Sequence, residues 1–358
     1  MRNHGAKRAA FWATSFLTIA CVMTACAEET PFYIQYLLTL QGVRESAGAW
    51  LATLMQLLTA LGEAVVPMLI GAVLFWSIDE RAGIRILLFN AVGHVVNQFL
   101  KTTVCAYRPW IRDARVMPVP AAMTTATGYS FPSGHVTNSG AWLLGLGLFA
   151  KERCQRKSTR AWLMALCMVV WLLVGLSRNF LGVHTPQDVG VMLLLMLAIA
   201  FVGEKALVWA EKGGKREWIF AGVCAALAIA LAVYASCKRY PLDYDAQGEL
   251  LVDPAKMVRD TFTTAGMALG FAIGWFCARR YVHFDRKGKL LNRILRSAVG
   301  CVLLIAMELL LKTPFIALFG DLWGRFLRAL LETVTILALY PLCIRAVQGR
   351  AQRQATAA

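Results

Sequence analysis

Ser177 through Asp188 reads S-R-N-F-L-G-V-H-T-P-Q-D, a polar stretch lying between apolar runs at roughly 161–178 and 187–209. Neither run alternates apolar with polar side chains, and each is close to the roughly 20 residues that a helix needs to cross a bilayer. Inside lipid the backbone must satisfy its own hydrogen bonds, so such runs read as helices. Within the stretch, Thr185 reads as an N-cap and Pro186 as the first helical residue. His184 then stands just before a helix, and Asp188 stands four residues on, in its first turn.

The same pattern repeats along the chain. Further apolar runs lie at about 49–77, 84–106, 137–150, 217–236, 262–278, 295–313 and 323–344. A first run from about Ala9 to Ala27 follows Arg2, Lys7 and Arg8. It reads as an uncleaved helix, with a signal peptide as the alternative. The 358 residues are 58% hydrophobic and 16% charged, with mean hydropathy +0.56. Soluble domains average about 45–50% apolar and about 25% charged. The expected fold is therefore all-α, a polytopic helical membrane protein of about ten transmembrane helices.

The net charge is +16. With the N-terminus inside, the inner loops collect Arg81 and Arg85, then Lys151, Arg153, Arg156, Lys157 and Arg160, then Lys212, Lys215 and Arg216, then the cluster from Arg279 to Arg296. The C-terminal tail adds Arg345, Arg350 and Arg353. This alternation follows the positive-inside rule and puts both termini in the cytoplasm. It favours anionic lipid heads as partners and argues against nucleic acid, since no basic stripe with interleaved aromatics occurs. The ten cysteines form no C-x-x-C pair, and most fall in apolar runs. Cys105 and Cys237 fall near the outer face, with nothing in the sequence to support a disulfide between them.

Two further polar stretches fall on the same, outer face. Lys101 through Pro109 reads K-T-T-V-C-A-Y-R-P, and Pro132 through His135 reads P-S-G-H. Lys101 and Arg108 are seven residues apart, which on one helix gives a shared face and a rise of roughly 10 Å. Ser133-Gly134-His135 precedes an apolar run, where backbone amides at a helix start cradle anions. Arg178 offers a planar fork for two phosphate oxygens. Asp188 accepts a ring N–H of His184 and leaves the other nitrogen free to attack. Each stretch also has a plain structural reading: snorkelling cations, a serine-capped turn, a Thr185–Asp188 capping box. Structure alone does not account for all three occurring on one face.

The three stretches resemble the type 2 phosphatidic acid phosphatase family, which shares its site with vanadium haloperoxidases and bacterial acid phosphatases. The family pattern K-x6-R-P, P-S-G-H and S-R-x5-H-x3-D is matched at every motif position by Lys101 to Arg108-Pro109, by Pro132 to His135, and by Ser177-Arg178 through His184 to Asp188. The resemblance covers roughly 49–209 and implies a six-helix core within residues 1–210. Residues 211–358 remain as additional membrane helices of unassigned role. It implies His184 as nucleophile, Asp188 as its orienting partner and His135 as general acid. It also implies Lys101, Arg108, Ser133, Gly134 and Arg178 as phosphate-binding residues.

No cofactor and no metal are called for by these residues. The expected activity is hydrolysis of a lipid phosphate or diphosphate at the outer face through a phosphohistidine. Candidate substrates are undecaprenyl diphosphate, phosphatidate, phosphatidylglycerol phosphate and a sphingoid phosphate. Transfer of the phosphoryl group to another lipid, or lipid transport over a phosphate-binding site, are the rival readings. Short basic inner loops point to a bacterial inner membrane with the site on the periplasmic side. Association between copies through the unmatched helices stays open. Among other polar residues, His94 and Asn97 read as helix–helix hydrogen bonders and Glu308 with Lys312 as an i,i+4 pair. Glu63 reads equally as a substrate contact or as half of a buried pair.

Overall fold

The computed structural model describes residues 31–286 and 288–357, with side chains described up to residue 349. The first apolar run lies outside the described residues. Each of the nine later runs is helical over most of its length, with the run 49–77 broken between Ala60 and Val65. In chain order the helices are α1 (Phe32–Ala47), α2 (Ala49–Ala60), α3 (Val65–Ser77), α4 (Glu80–Val104), α5 (Pro109–Arg112), α6 (Pro120–Met123), α7 (Gly134–Arg153), α8 (Lys157–Phe180) and α9 (Pro186–Ala210). Then come α10 (Lys215–Cys237), α11 (Pro254–Tyr281), α12 (Leu290–Leu310), α13 (Lys312–Val334), a π-helical turn (Thr335–Leu339) and α14 (Tyr340–Ala357).

Six helical stretches among the described residues are long and apolar enough to cross a membrane unaided: α8, α9, α10, α11, α12 and the run Lys312–Gly349, which is kinked at Gly320. Helices α2 and α3, bent by 46° at the break between them, make a seventh if they count as one span. Helices α4 and α7 fall short on apolarity because they face inward. Arg85, Asn90, Asn97 and Lys101 of α4 and Thr137, Asn138 and Ser139 of α7 are all buried. The outer flanks carry large exposed apolar residues, such as Leu194, Phe201, Val302 and Leu309, in keeping with a lipid-facing surface.

The helices alternate in direction between two ends of the bundle. At one end Arg85 pairs with Glu204 at 2.7 Å and with Glu152 at 2.6 Å, so the start of α4 meets the far ends of α7 and α9. At that same end Asp79 caps α4 and pairs with Arg153, while Arg286 pairs with Glu80 at 2.8 Å. The opposite end gathers the C-terminal end of α4, the start of α7, the end of α8 and the start of α9. All three polar stretches therefore converge at one end.

The helices beyond residue 210 pack into the same core. Along α11, Gly266, Gly270 and Gly274 leave room for the backbone of α13, since a Cβ on Gly266 would lie 2.1 Å from the Phe326 carbonyl oxygen. Trp76 of α3 donates to the Ile336 carbonyl at 2.8 Å. Helix α1, which no apolar run announces, lies across the site end. Its Arg44 donates to the carbonyls of Phe180 (3.0 Å) and Met117 (2.6 Å). Glu308 does not form the expected i,i+4 pair. It reaches Arg328 of α13, which also holds Glu332 at 2.9 Å, because an arginine on the facing helix offers a stronger partner than a lysine at the helix end.

Candidate active site

The turn after α8 is shaped by its own side chains. Asn179 donates to the His184 carbonyl at 2.9 Å, and Gly182 takes a left-handed φ of 75° where Pro118 Cα crowds any Cβ to 3.1 Å. Thr185 caps α9 in a full capping box. Its hydroxyl accepts from the Asp188 amide at 3.2 Å, and its own amide donates to Asp188 Oδ2 at 2.7 Å. The same Oδ2 accepts from Ser130 Oγ at 2.5 Å and lies 3.4 Å from His184 Nδ1. Asp188 thus closes the cap and orients the histidine at once. The Thr185–Asp188 capping box of the structural reading is present, and it leaves Asp188 beside His184.

On the other edge of the ring, Arg108 Nη1 lies 3.0 Å from His184 Nε2. A guanidinium only donates, so Nε2 accepts and the proton resides on Nδ1, facing Asp188. Burial and then the Arg108 charge hold the His184 pKa well below its usual value, with Asp188 opposing them. The ring is therefore neutral at physiological pH, with the nitrogen lone pair turned toward the cations.

Arg108 is not on the same helix as Lys101. Helix α4 ends at Val104, Cys105 turns left-handed (φ 52°), and Arg108 serves as the N-cap residue of the short α5. The Ala106 carbonyl is taken by the Ser130 amide at 2.7 Å, so the chain here is tied to the loop before α7 instead of continuing as helix. Arg108 reaches the site from this turn. Its Nε and Nη2 donate to the carbonyls of Gly128 and Thr127 and its Nη1 to Val183, each at 2.9–3.0 Å. Burial lowers its pKa to about 10, still charged at neutral pH, with Asp188 raising it.

Ser133 occupies the N-cap position of α7, but its hydroxyl makes no cap bond. Ser133 Oγ is buried without a hydrogen-bond partner, as are Nε and Nη2 of the fully buried Arg178. The remaining Arg178 nitrogen, Nη1, donates to Thr59 Oγ1 at 2.9 Å. Space beside Gly134 is open, with no atom within 4 Å of where a Cβ would stand. The first-turn amides of Gly134 and His135 have no acceptor within their helix. Lys101 is buried and lies within electrostatic reach of Arg108 and Asp188. Arg108 touches His184 Nε2, and the charges of Arg108 and Arg178 both act on this ring. His135, itself buried, faces Glu63 Oε1 at 3.3 Å.

All eight residues expected from the sequence sit at this end of the bundle. The structure adds Ser130, Thr59 and Glu63. Glu63 was visible as a lone carboxylate in an apolar run. Ser130 and Thr59 carried no signal, because hydroxyls are common in loops and helix ends. The helices beyond residue 210 also contribute. Tyr107 donates to Asp243, and Met257 packs on Gly128, where a Cβ would stand 2.7 Å from its sulfur. Lys256 and Asp260, paired at 2.5 Å, are within electrostatic reach of Lys101. His94 and Asn97 hold α4 to α7, His94 to Asn138 at 2.5 Å and Asn97 to Thr137 at 3.1 Å. Cys105 and Cys237 are free thiols.

Residues 82–212 match the model of the PAP2 superfamily, and residues 262–353 match that of the PAP2 superfamily phosphatase transmembrane extension. The chain is 30% identical over 145 residues to phosphatidylglycerophosphatase B of Bacillus subtilis (strain 168), covering 39% of this chain and 67% of the relative. It is 39% identical over 87 residues to phosphatidylglycerophosphatase B of Haemophilus influenzae, covering 23% of this chain and 36% of that relative. No solved structure matches. Fold, site and matches together define an integral-membrane phosphatase of all-helical fold. The chain belongs to the PAP2 superfamily.

Proposed function

We propose that this phosphatase hydrolyses a lipid phosphate or diphosphate on the periplasmic face of a bacterial inner membrane, through a phosphohistidine at His184. The observation that carries this reading is the set of unspent buried donors, Arg178 Nε and Nη2 and Ser133 Oγ, in a site whose nucleophile lone pair faces Arg108. Burying such donors unpaired is costly, and a phosphate group supplies the acceptors. Lys101, Arg108 and Arg178 neutralise the phosphoryl oxygens, aided by Ser133 and the amides at Gly134. His184 Nε2 attacks phosphorus while Asp188 holds Nδ1–H. His135 gives its proton to the leaving oxygen, then takes one from the water that frees phosphate.

A site at the end of a bundle with apolar flanks meets lipid headgroups directly. The names of the two relatives put phosphatidylglycerophosphate first among substrates to try. The loop charges favour the outer face, with both termini cytoplasmic. Residues 1–210 form the catalytic core in this reading, and 211–358 brace it.

The test is phosphate release from a panel of lipid phosphates by the detergent-purified protein. His184→Ala lowers the rate by about 10⁴-fold or more and abolishes an acid-labile phosphoenzyme. His135→Ala lowers it by about 10²- to 10⁴-fold. A His184→Ala variant as active as wild type sinks the mechanism.

A further inference from the structure

The apolar stretch 49–77 is broken in its middle. Helix α2 ends at Ala60, α3 begins at Val65, and the two are bent by 46°. A break inside a membrane segment frees backbone carbonyls that lipid cannot satisfy. Here α7 satisfies them. Trp142 Nε1 donates to the Leu61 carbonyl at 3.0 Å, and Asn138 Nδ2 donates to the Gly62 carbonyl at 2.7 Å. Gly62 itself presses on the first turn of α7, where a Cβ would stand 2.8 Å from the His135 carbonyl oxygen and 2.9 Å from its Cβ. Three contacts thus fix the break against α7, whose second residue is His135. The next residue in the break is Glu63, whose Oε1 faces His135 Nε2 at 3.3 Å.

His135 needs that neighbour. The charged groups acting on it are Glu63, Arg178 and Arg108, and Glu63 alone among them is anionic. Two guanidiniums disfavour an imidazolium, yet a general acid must carry the proton that it gives away. The Glu63 side chain is 40% exposed, whereas the His135 side chain that it faces is 9% exposed.

We propose that Glu63 is a positioning residue for the general acid, an inference that rests on the phosphatase mechanism above. Its carboxylate takes one N–H of the His135 imidazolium, fixes the ring, and leaves the other N–H for the departing oxygen. As the P–N bond to His184 forms and the P–O bond breaks, that proton moves from His135 to the leaving oxygen. In the second half water's oxygen bonds to phosphorus, the P–N bond breaks, and water's proton returns to His135. Glu63 stays ionised throughout.

The leaving group separates this role from a structural one. Alkoxides need a proton to depart, whereas p-nitrophenolate leaves without one. Glu63→Gln and Glu63→Asp are compared with wild type on a short-chain alkyl phosphate and on p-nitrophenyl phosphate. Glu63→Gln is expected to lower kcat on the alkyl ester by about 10- to 100-fold, with KM nearly unchanged. On the aryl ester it loses less than about 3-fold, and Glu63→Asp recovers most of the alkyl activity. Equal losses on both esters, or none on the alkyl ester, overturn the proposal. A wild type that turns over short esters but no lipid phosphate overturns the lipid-substrate reading and leaves Glu63 standing. A wild type that hydrolyses none of them overturns both.

Discussion

His184 and Asp188 lie 3.4 Å apart with side chains 2% and 3% exposed, whereas His135 and Glu63 lie 3.3 Å apart with side chains 9% and 40% exposed. The first pair is four residues apart in one chain segment, and its carboxylate is also a helix cap. The second joins residues 72 apart, through a helix break that another helix stabilises. The difference suits the two roles proposed for these histidines. A nucleophile is best kept neutral, rigid and shielded, with its lone pair aimed at phosphorus. A proton donor must recharge every cycle, and the carboxylate beside it is the more exposed of the two.

The comparison can be pressed by removing each carboxylate. Asp188→Asn is expected to cost about 10³- to 10⁴-fold in phosphoenzyme formation, since the amide can no longer fix the Nδ1–H tautomer. Rapid quenching measures this rate against pH. Because the folded His184 pKa is well below its usual value, the ring stays neutral and reactive below pH about 6.5. The rate then falls only as pH drops through that lowered value. Asp188 raises the His184 pKa, so Asp188→Asn moves the acid limb lower still. An acid limb at or above pH 6.5 would break the picture of a shielded nucleophile.

Gly62→Ala tests the second pair without touching its charges. The added methyl has only 2.8 Å to the His135 carbonyl oxygen, so the break must move away from α7. The expected loss is about 10-fold on an alkyl phosphate, in the range where general acid catalysis is weakened but not abolished. The smallest effect is expected from Thr185→Ala, which removes the cap acceptor but leaves Asp188 held by Ser130 and the Thr185 amide. It costs about 1 kcal/mol of stability, read as a lower thermal midpoint, with activity near wild type.

Much of the site was legible because its parts are local. The i,i+4 spacing of His184 and Asp188, the N-cap at Thr185 and the proline after it dictate one short-range geometry. The nine later apolar runs announced their helices by composition. Lys101 and Arg108 show where local reading goes wrong. Seven residues suggested one helical face, but the left-handed turn at Cys105 sends Arg108 across the site to the Val183 and Gly128 carbonyls. Helix α1 was missed because it is too short and too mixed in polarity to read as a span. Its Arg44 reaches the last residue of α8 and the loop at Met117.

The sequence by itself determined a helical membrane protein, three polar stretches rich in cations and histidines, and the local His184–Asp188 pair. Those follow from hydropathy, loop charge and backbone chemistry within a few residues. Only the tertiary structure decided what surrounds them. Thr59 on Arg178, Ser130 on Asp188 and Glu63 on His135 join residues 119, 58 and 72 positions apart. Such contacts depend on how helices pack and where one of them breaks, and no periodicity or spacing in a single sequence encodes that choice.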